Sequence, residues 1–359
     1  MKNKFLLSAI LFGASLCSQA KPIIFDNDMA IDDWAALLYL LHHPKAEVIA
    51  VTISASGESH CEPGLANTNS LLDLPGKVKD IPVACGDAYP LDGYFVFPDA
   101  WRKDSDILSG VAIKKSARSA SDQHAAEIIH AALAEANEAV TIIATGPLTN
   151  IAQWLERYPQ DKNKIDQLVI MGGAVDAPGN IIVPLFTKGH PNTTAEWNIF
   201  IDPLATDKVF AAGLPIVLVG LDVTNSVRVT TKIAADFKRA VKTDSAKLWD
   251  SVLDKNDWFI KSNEYYFWDT LAVMIAVEPE LCQGDMQSLR AIYHTTTTPW
   301  QQTTDNTMPD TRWDGKPRNH LDAKTAGSLV KDTSYPAVKV CRKSEPERIF
   351  KQFRDVLNY

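Results

Sequence analysis

The chain is expected to be an α/β protein with a single open, mostly parallel central β-sheet flanked by helices. Two observations predict this. Apolar strand-like runs alternate with helical segments from Pro22 to Gly220, the pattern of a parallel sheet covered by helices. In addition, a cluster of carboxylates follows the first apolar run and precedes an apolar helix, and the carboxyl ends of strands are where open α/β sheets bind ligands.

The elements follow in order. Pro22 to Asp26 reads as a strand and Asp32 to His42 as a helix ended by Pro44. Ala46 to Ile53 is a second strand and Ile81 to Ala84 a third. The amphipathic stretch Asp122 to Asn137 reads as a helix, followed by the strand Val140 to Ala144. Leu148 to Tyr158 is helical and Gln167 to Met171 extended. Pro203 to Ala212 and Pro215 to Gly220 repeat the alternation. There is no internal repeat, low-complexity tract or interdomain linker, so residues 21–359 are expected to form one domain. Loops are expected at Phe95 to Ser119, Ile182 to Thr194 and Thr295 to Ala326. Loops of that length in a compact domain are often lids.

The 359 residues are 46% hydrophobic and 22% charged, with a formal charge of −8. This is a globular composition, and the acidic balance argues against nucleic acid as a partner. Residues 1–20 read as a signal peptide: Lys2 and Lys4, an apolar run from Phe5 to Leu16, then Ser18-Gln19-Ala20 as a cleavage site. An exported chain, periplasmic or secreted, is therefore expected. No other run is long enough to span a bilayer, so the mature chain should be soluble, without a membrane partner. Leu16 stands where a lipoprotein would place a small residue before Cys17, which argues against lipidation. Cys61, Cys85, Cys282 and Cys341 remain after cleavage. Four cysteines allow three complete pairings. Cys61 with Cys85 and Cys282 with Cys341 is preferred, because each pair keeps to one end of the chain.

The chemistry concentrates in Asp26-Asn27-Asp28-Met29-Ala30-Ile31-Asp32-Asp33. One such Asp would be an ordinary turn or helix-capping residue. Four within eight positions are costly unless a cation neutralises them, and a hard cation with oxygen ligands fits best.

This run is one of several motifs that together resemble the nucleoside hydrolase family. The others are Thr145-Gly146-Pro147-Leu148-Thr149-Asn150, Met171-Gly172-Gly173, Gly179-Asn180, Ala195-Glu196-Trp197-Asn198 with Asp202-Pro203, and Trp268-Asp269. The resemblance covers most of the mature chain and is loosest after Ala55 and from Leu281 onward. It implies a Rossmann-like nucleoside hydrolase fold and hydrolysis of the N-glycosidic bond of ribonucleosides to base and ribose. It also implies a calcium ion, Ca2+, held by Asp28, Asp33, Asp269 and the carbonyl oxygen of Thr145. By itself, Asp269 would read as an N-cap before Thr270 to Val277, and Trp268 as ordinary core.

By the same resemblance, Asp28 is the general base, accepting a proton from a water whose acidity the cation raises. The transition state is expected to resemble an oxocarbenium ion. Asp32, Asn180, Glu196, Asn198 and Met171 would hold the ribose side of the substrate, with Asp26 orienting the loop. Trp268 stands where pyrimidine-tolerant members carry His. It therefore resembles the purine-specific, inosine-adenosine-guanosine-preferring group, in which aromatic rings sandwich the base. Trp101 is the candidate second ring; a Trp packed beneath a loop is the plainer alternative. A homo-oligomer, dimer or tetramer, is also implied.

Two departures bear on substrate preference. Gly57-Glu58 replaces the family's Gly-Asn, so Glu58 either takes over a ribose contact or loses it. The stretch from Asn180 to Glu196 is longer than usual, and its insert with Lys188, His190 and Pro191 is a candidate lid. Two rival readings are an aspartate-nucleophile phosphatase, suggested by Phe25-Asp26-Asn27-Asp28, and an exported nucleoside-binding protein without catalysis.

Overall fold

The computed structural model describes residues 20–76, 80–91, 97–184, 186–293, 295–299, 319–321 and 324–359. The expected signal peptide, Ala20 excepted, lies outside the described residues, as do Phe95 and most of the expected loop from Thr295 to Ala326.

The first half follows the predicted alternation, with added helices between the second and third strands and inside the expected loop from Phe95 to Ser119. Strand β1 (Lys21–Asn27) leads to helix α1 (Ile31–His42), β2 (Ala46–Ile53), α2 (Cys61–Asp73) and β3 (Val83–Cys85). Helices α3 (Asp99–Asp106) and α4 (Ala125–Glu135) precede β4 (Val140–Ala144), α5 (Thr149–Arg157) and β5 (Ile165–Met171). Two short helices, α6 (Trp197–Ile201) and α7 (Pro203–Ala211), then lead to β6 (Ile216–Val219). The third strand starts later than expected because Pro82 has no N–H to give the ladder; its carbonyl still accepts from Val51 N at 3.0 Å. Helix α4 starts at Ala125 because His124 caps it, its ring Nδ1 accepting from Ala126 N at 3.1 Å.

Beyond Gly220 the one helix expected, over Thr270 to Val277, is present and starts at Trp268; the other elements carry no sequence expectation. Helices α8 (Leu221–Thr224), α9 (Thr231–Lys238), α10 (Asp244–Lys255), α11 (Asp257–Lys261) and α12 (Trp268–Val277) come in succession. Strand β7 (Gln283–Ala291), a two-stranded ribbon of β8 (Thr295–Pro299) and β9 (Asn319–Leu321), β10 (Leu329–Lys331), β11 (Ala337–Lys343) and α13 (Pro346–Leu357) complete the order.

The described strands form a nine-stranded sheet in the order β10-β7-β11-β6-β5-β4-β1-β2-β3. It is parallel from β3 to β11; β7 runs antiparallel to both β11 and β10. The chain steps outward from β1 to β2 and β3, then returns to place β4 on the other side of β1. This reversal between β1 and β4 opens a crevice at their carboxyl ends.

Alternate residues of each strand feed opposite faces. Ile23, Phe25, Val51 and Ile143 join one apolar core with α1, α12 and α13. Ile24, Ile142, Ile170 and Leu218 join another with α4, α5 and α7. Each such side chain contributes roughly 1.5–3 kcal/mol on burial. Helix α12 is apolar around almost its whole circumference and buried from Asp269 to Val277, so its first turn is held firmly against α1. Two disulfides join Cys61 to Cys85 and Cys282 to Cys341, with Cα–Cα separations of 5.8 and 5.3 Å. The preferred pairing is the one formed. Among the described residues no helix is long and apolar enough to cross a membrane.

Candidate functional site

The exit of β1 is shaped by its own polar groups. Asn27 Oδ1 accepts from Met29 N at 3.0 Å, and Met29 takes a φ of +59°. That left-handed turn ends the strand and lets α1 begin. Asp33 Oδ2 reaches back to accept from Ala30 N at 2.9 Å and Asp28 N at 3.3 Å. Asp33 thus serves the helix terminus, yet its other oxygen accepts from Thr145 Oγ1 at 2.6 Å. Asp26 is not a turn residue. It lies inside β1, fully buried, with Oδ1 accepting from Thr52 Oγ1 at 2.6 Å and Asn150 Nδ2 at 2.7 Å.

Asp28 sits between two glycines. A Cβ on Gly57 would lie 2.3 Å from Asp28 Oδ2, and one on Gly146 2.8 Å from Asp28 Cβ. Asp28 Oδ2 accepts from Glu58 N at 3.0 Å, and Asp28 O accepts from Ser59 N at 2.9 Å. Asp269 is not the N-cap of its helix: Phe267 holds that place and Asp269 is the second residue of α12. The docking of α12 on α1 brings it to Asp32, whose Oδ2 accepts from Asp269 N at 3.2 Å.

Burial pushes every one of these acids upward. It raises Asp33 to about 7, with Asp32 repelling it further. Asp28 and Asp269 are held well above the carboxylate range, by burial first and then by Asp33 and Asp32 respectively. Asp32 is raised by burial, and burial with repulsion from Asp28 lifts Glu58 to about 8. Among the described residues, no group of three or more His, Cys, Asp or Glu side chains is placed to hold a metal ion. Asp33 and Asp32 instead spend their oxygens on N–H and O–H donors.

A second half lies at the carboxyl end of β5. Glu196 caps α6, accepting from Asn198 N at 3.0 Å and Ile199 N at 3.3 Å, and also from Gly173 N at 3.0 Å. Burial raises it to about 7. Asn198 Nδ2 donates to the carbonyl oxygens of Thr145 at 2.9 Å and Met171 at 3.3 Å, which joins the two halves. Asn180 Oδ1 accepts from Trp197 N at 3.1 Å. The structure therefore brings together Asp28, Asp32, Asp33, Thr145 and Asp269 on one side, and Met171, Asn180, Glu196 and Asn198 on the other. Glu58 joins the first group, with its Oε1 accepting from Ser105 Oγ at 2.8 Å.

The two tryptophans fall in separate aromatic groups. Trp268 packs with Tyr266, Phe259 and Tyr265 at 5.5–6.2 Å between ring centroids. Trp101, on α3, meets Trp197, Phe186 and Phe97 at 5.2–6.3 Å. No ring contact joins Trp101 to Trp268 among the described residues. The insert after Asn180 is pinned at intervals: Thr187, His190 and Asn192 are buried, and Asn192 Nδ2 donates to Ala326 O at 2.8 Å. Sequence reasoning missed the two glycines against Asp28 and the part played by α3; only the Gly-Glu pair at Gly57-Glu58 hinted at the former.

The chain as a whole is similar to known proteins. Residues 23–351 match the model of the inosine-uridine preferring nucleoside hydrolases. The chain belongs to that family. It is 37% identical over 210 residues to the pyrimidine-specific ribonucleoside hydrolase RihA of Photobacterium profundum, covering 58% of this chain and 63% of that protein. It is 35% identical over 238 residues to RihA of Escherichia coli, covering 66% of this chain and 72% of the relative. The solved inosine-guanosine nucleoside hydrolase superposes with a TM-score of 0.75 over 94% of this chain and 99% of its own. At 23% identity, that likeness speaks to the fold alone. The fold expected from sequence is the nucleoside hydrolase fold, and family membership removes the phosphatase reading.

Proposed function

We propose that residues 21–359 form one exported hydrolase domain that cleaves the N-glycosidic bond of ribonucleosides with calcium as cofactor. The observation that carries this reading is the meeting of four buried aspartates and Thr145 at the β1–β4 reversal. The donor set fits a hard cation: it offers oxygen only, and its buried acids are destabilised as anions. Asp28, Asp33, Asp269 and the Thr145 carbonyl would hold the ion. When bound, it would offset the clustered negative charge and raise the acidity of a nearby water.

Asp28 acts as general base, taking the proton from the water that attacks the anomeric carbon. Asp32 accepts hydrogen bonds from the ribose hydroxyls. Asn180, Glu196 and Asn198 hold the rest of the sugar, near Met171, and favour the flattened ring of the transition state. Glu58, beside Asp28, either takes over the ribose contact of the family's Asn or leaves it unmade. Trp268 stacks on the leaving base, with Trp101 as the candidate second ring, and this favours purines. Pyrimidine preference is the second reading, favoured by the names of the RihA relatives. A dimer or tetramer belongs to the same proposal on family grounds alone.

The test uses the purified chain from Lys21 onward with calcium, and the substrates inosine, adenosine, guanosine, uridine and cytidine. Release of base and ribose, fastest from the purines, is expected. Uridine outpacing inosine would establish the pyrimidine reading. Tight binding with no base released over hours would mark a binding protein without catalysis.

A further inference from the structure

Among the described residues, no side chain bonds the Asp28 carboxylate from the β2–α2 side. What meets it there is backbone: Glu58 N on Oδ2, Ser59 N on the carbonyl, and Gly57 in close contact. Segment 54–60 is thus the wall against which Asp28 rests, and it contains no regular secondary structure. Its first half is held by Gly57 N donating to Ser54 O at 2.9 Å, by Ser54 Oγ donating to Pro147 O at 2.7 Å and by the Ser56–Thr149 hydroxyl pair at 2.8 Å; the carbonyls and side chains of residues 55–60 are held from the other side.

Helix α3 supplies that support. Arg102 Nη2 donates to Ala55 O at 3.2 Å and to Ser59 O at 3.4 Å, so one nitrogen bridges the two ends of the turn that contains Gly57 and Glu58. Ser105 Oγ, three residues on, donates to Glu58 Oε1 at 2.8 Å. Asp106 accepts from His60 N at 2.9 Å. Positions 102, 105 and 106 share one helix face, so a single face of α3 holds Ala55, Glu58, Ser59 and His60. Arg102 Nε is buried with no protein partner among the described residues. Its guanidinium also lies close enough to Asp28 and Glu58 to feel their charge.

We infer that Arg102 is a positioning residue for Asp28, acting through the backbone of residues 55–59. The inference rests on the reading of Asp28 as base and metal ligand. Through its bonds to Ala55 O and Ser59 O, Arg102 fixes where Glu58 N and Gly57 stand, and they fix the carboxylate. An error of about 1 Å in a reacting group can cost roughly 100-fold in rate. Loss of a group that orients a metal ligand typically costs about 10–100-fold in metal affinity or activity.

The experiment compares Arg102→Ala, Arg102→Lys and Asp28→Ala in the full mature chain. It reads kcat and KM on the best substrate at saturating calcium, calcium binding by isothermal titration, and the thermal unfolding midpoint. For Arg102→Ala we expect kcat to fall roughly 10- to 100-fold. Calcium binding should weaken while KM and the unfolding midpoint change little. Added guanidinium should restore part of kcat, and Arg102→Lys should fall between Arg102→Ala and wild type. The inference is overturned if Arg102→Ala keeps kcat within about two-fold of wild type while Asp28→Ala is inactive. It is equally overturned if kcat falls only in step with the unfolding midpoint and guanidinium restores nothing. Full activity in Asp28→Ala is a separate result, which refutes the assignment of Asp28 itself.

Discussion

Asp28 combines two roles in the proposed mechanism, and its surroundings leave it little freedom. Replacing it with Ala removes a metal ligand and the base together. A loss of at least ~10³-fold in kcat is expected, from the upper range for one acid–base group; half of wild-type turnover at saturating calcium would show the wrong residue had been chosen. Gly57→Ala tests the same point without touching a polar atom. Its Cβ would fall 2.3 Å from Asp28 Oδ2, so the carboxylate or the turn must move. A drop in kcat of about 10-fold or more is expected, with the far-ultraviolet spectrum unchanged. Trp268 poses a different question. Truncation to Ala removes a stacking surface worth roughly 1–3 kcal/mol per base in stacking sites. It should slow inosine far more than p-nitrophenyl riboside, whose leaving group departs without protonation. Equal losses on the two substrates would reduce Trp268 to a packing residue among Tyr266, Phe259 and Tyr265.

The two disulfides serve different elements, and their removal should separate stability from activity. Cys61–Cys85 ties the start of α2 to the end of β3, beside the wall that supports Asp28, across 24 residues. Cys282–Cys341 ties the start of β7 to β11 across 59 residues, at the far side of the sheet. Loop-closure entropy predicts a loss of about 3–4 kcal/mol for either one, measurable by denaturant unfolding of the paired Cys→Ser variants. Only the Cys61/Cys85 variant should also lower kcat; equal activity in both would mean that the wall needs no such tether. The element scale also shows what sequence could and could not disclose. β1, β2, β4 and β5 were legible because buried parallel strands are continuous apolar runs. β7 was not, because Gln283 to Met286 are exposed and carry no apolar pattern. α2 was hidden by Pro63, Gly64 and a run of polar residues. Asp28 and Asp33 stood out because they are close in sequence. Asp269 needed the family resemblance, since its approach to Asp32 depends on the packing of α12 against α1. The grip of α3 on residues 55–59 had no signature at all, because Arg102 binds carbonyl oxygens that every residue possesses.

At the scale of the whole molecule, the acid cluster opposes folding whenever it is ionised without a cation. Burial raises Asp33 to about 7, Glu196 to about 7 and Glu58 to about 8. The folded chain therefore binds protons that the unfolded chain has released by the ordinary carboxylate range near 4. Stability depends on pH through that difference in bound protons, and it falls as pH rises wherever the folded state holds more of them. For these groups the metal-free contribution is full below about pH 4. It is lost progressively as pH climbs through the folded values near 7 and 8. Calcium acts in the opposite sense, because it binds the ionised acids of the folded state and competes with protons. Chelated protein should thus show an unfolding midpoint that declines from mildly acidic to mildly alkaline pH. The increment restored by added calcium should grow over the same interval, and magnesium should restore less because it accepts an irregular oxygen shell poorly. Thermal melts at several pH values, with chelator and then with each cation in excess, measure all three. A calcium increment that is constant with pH would mean that the ion binds somewhere other than among these buried acids.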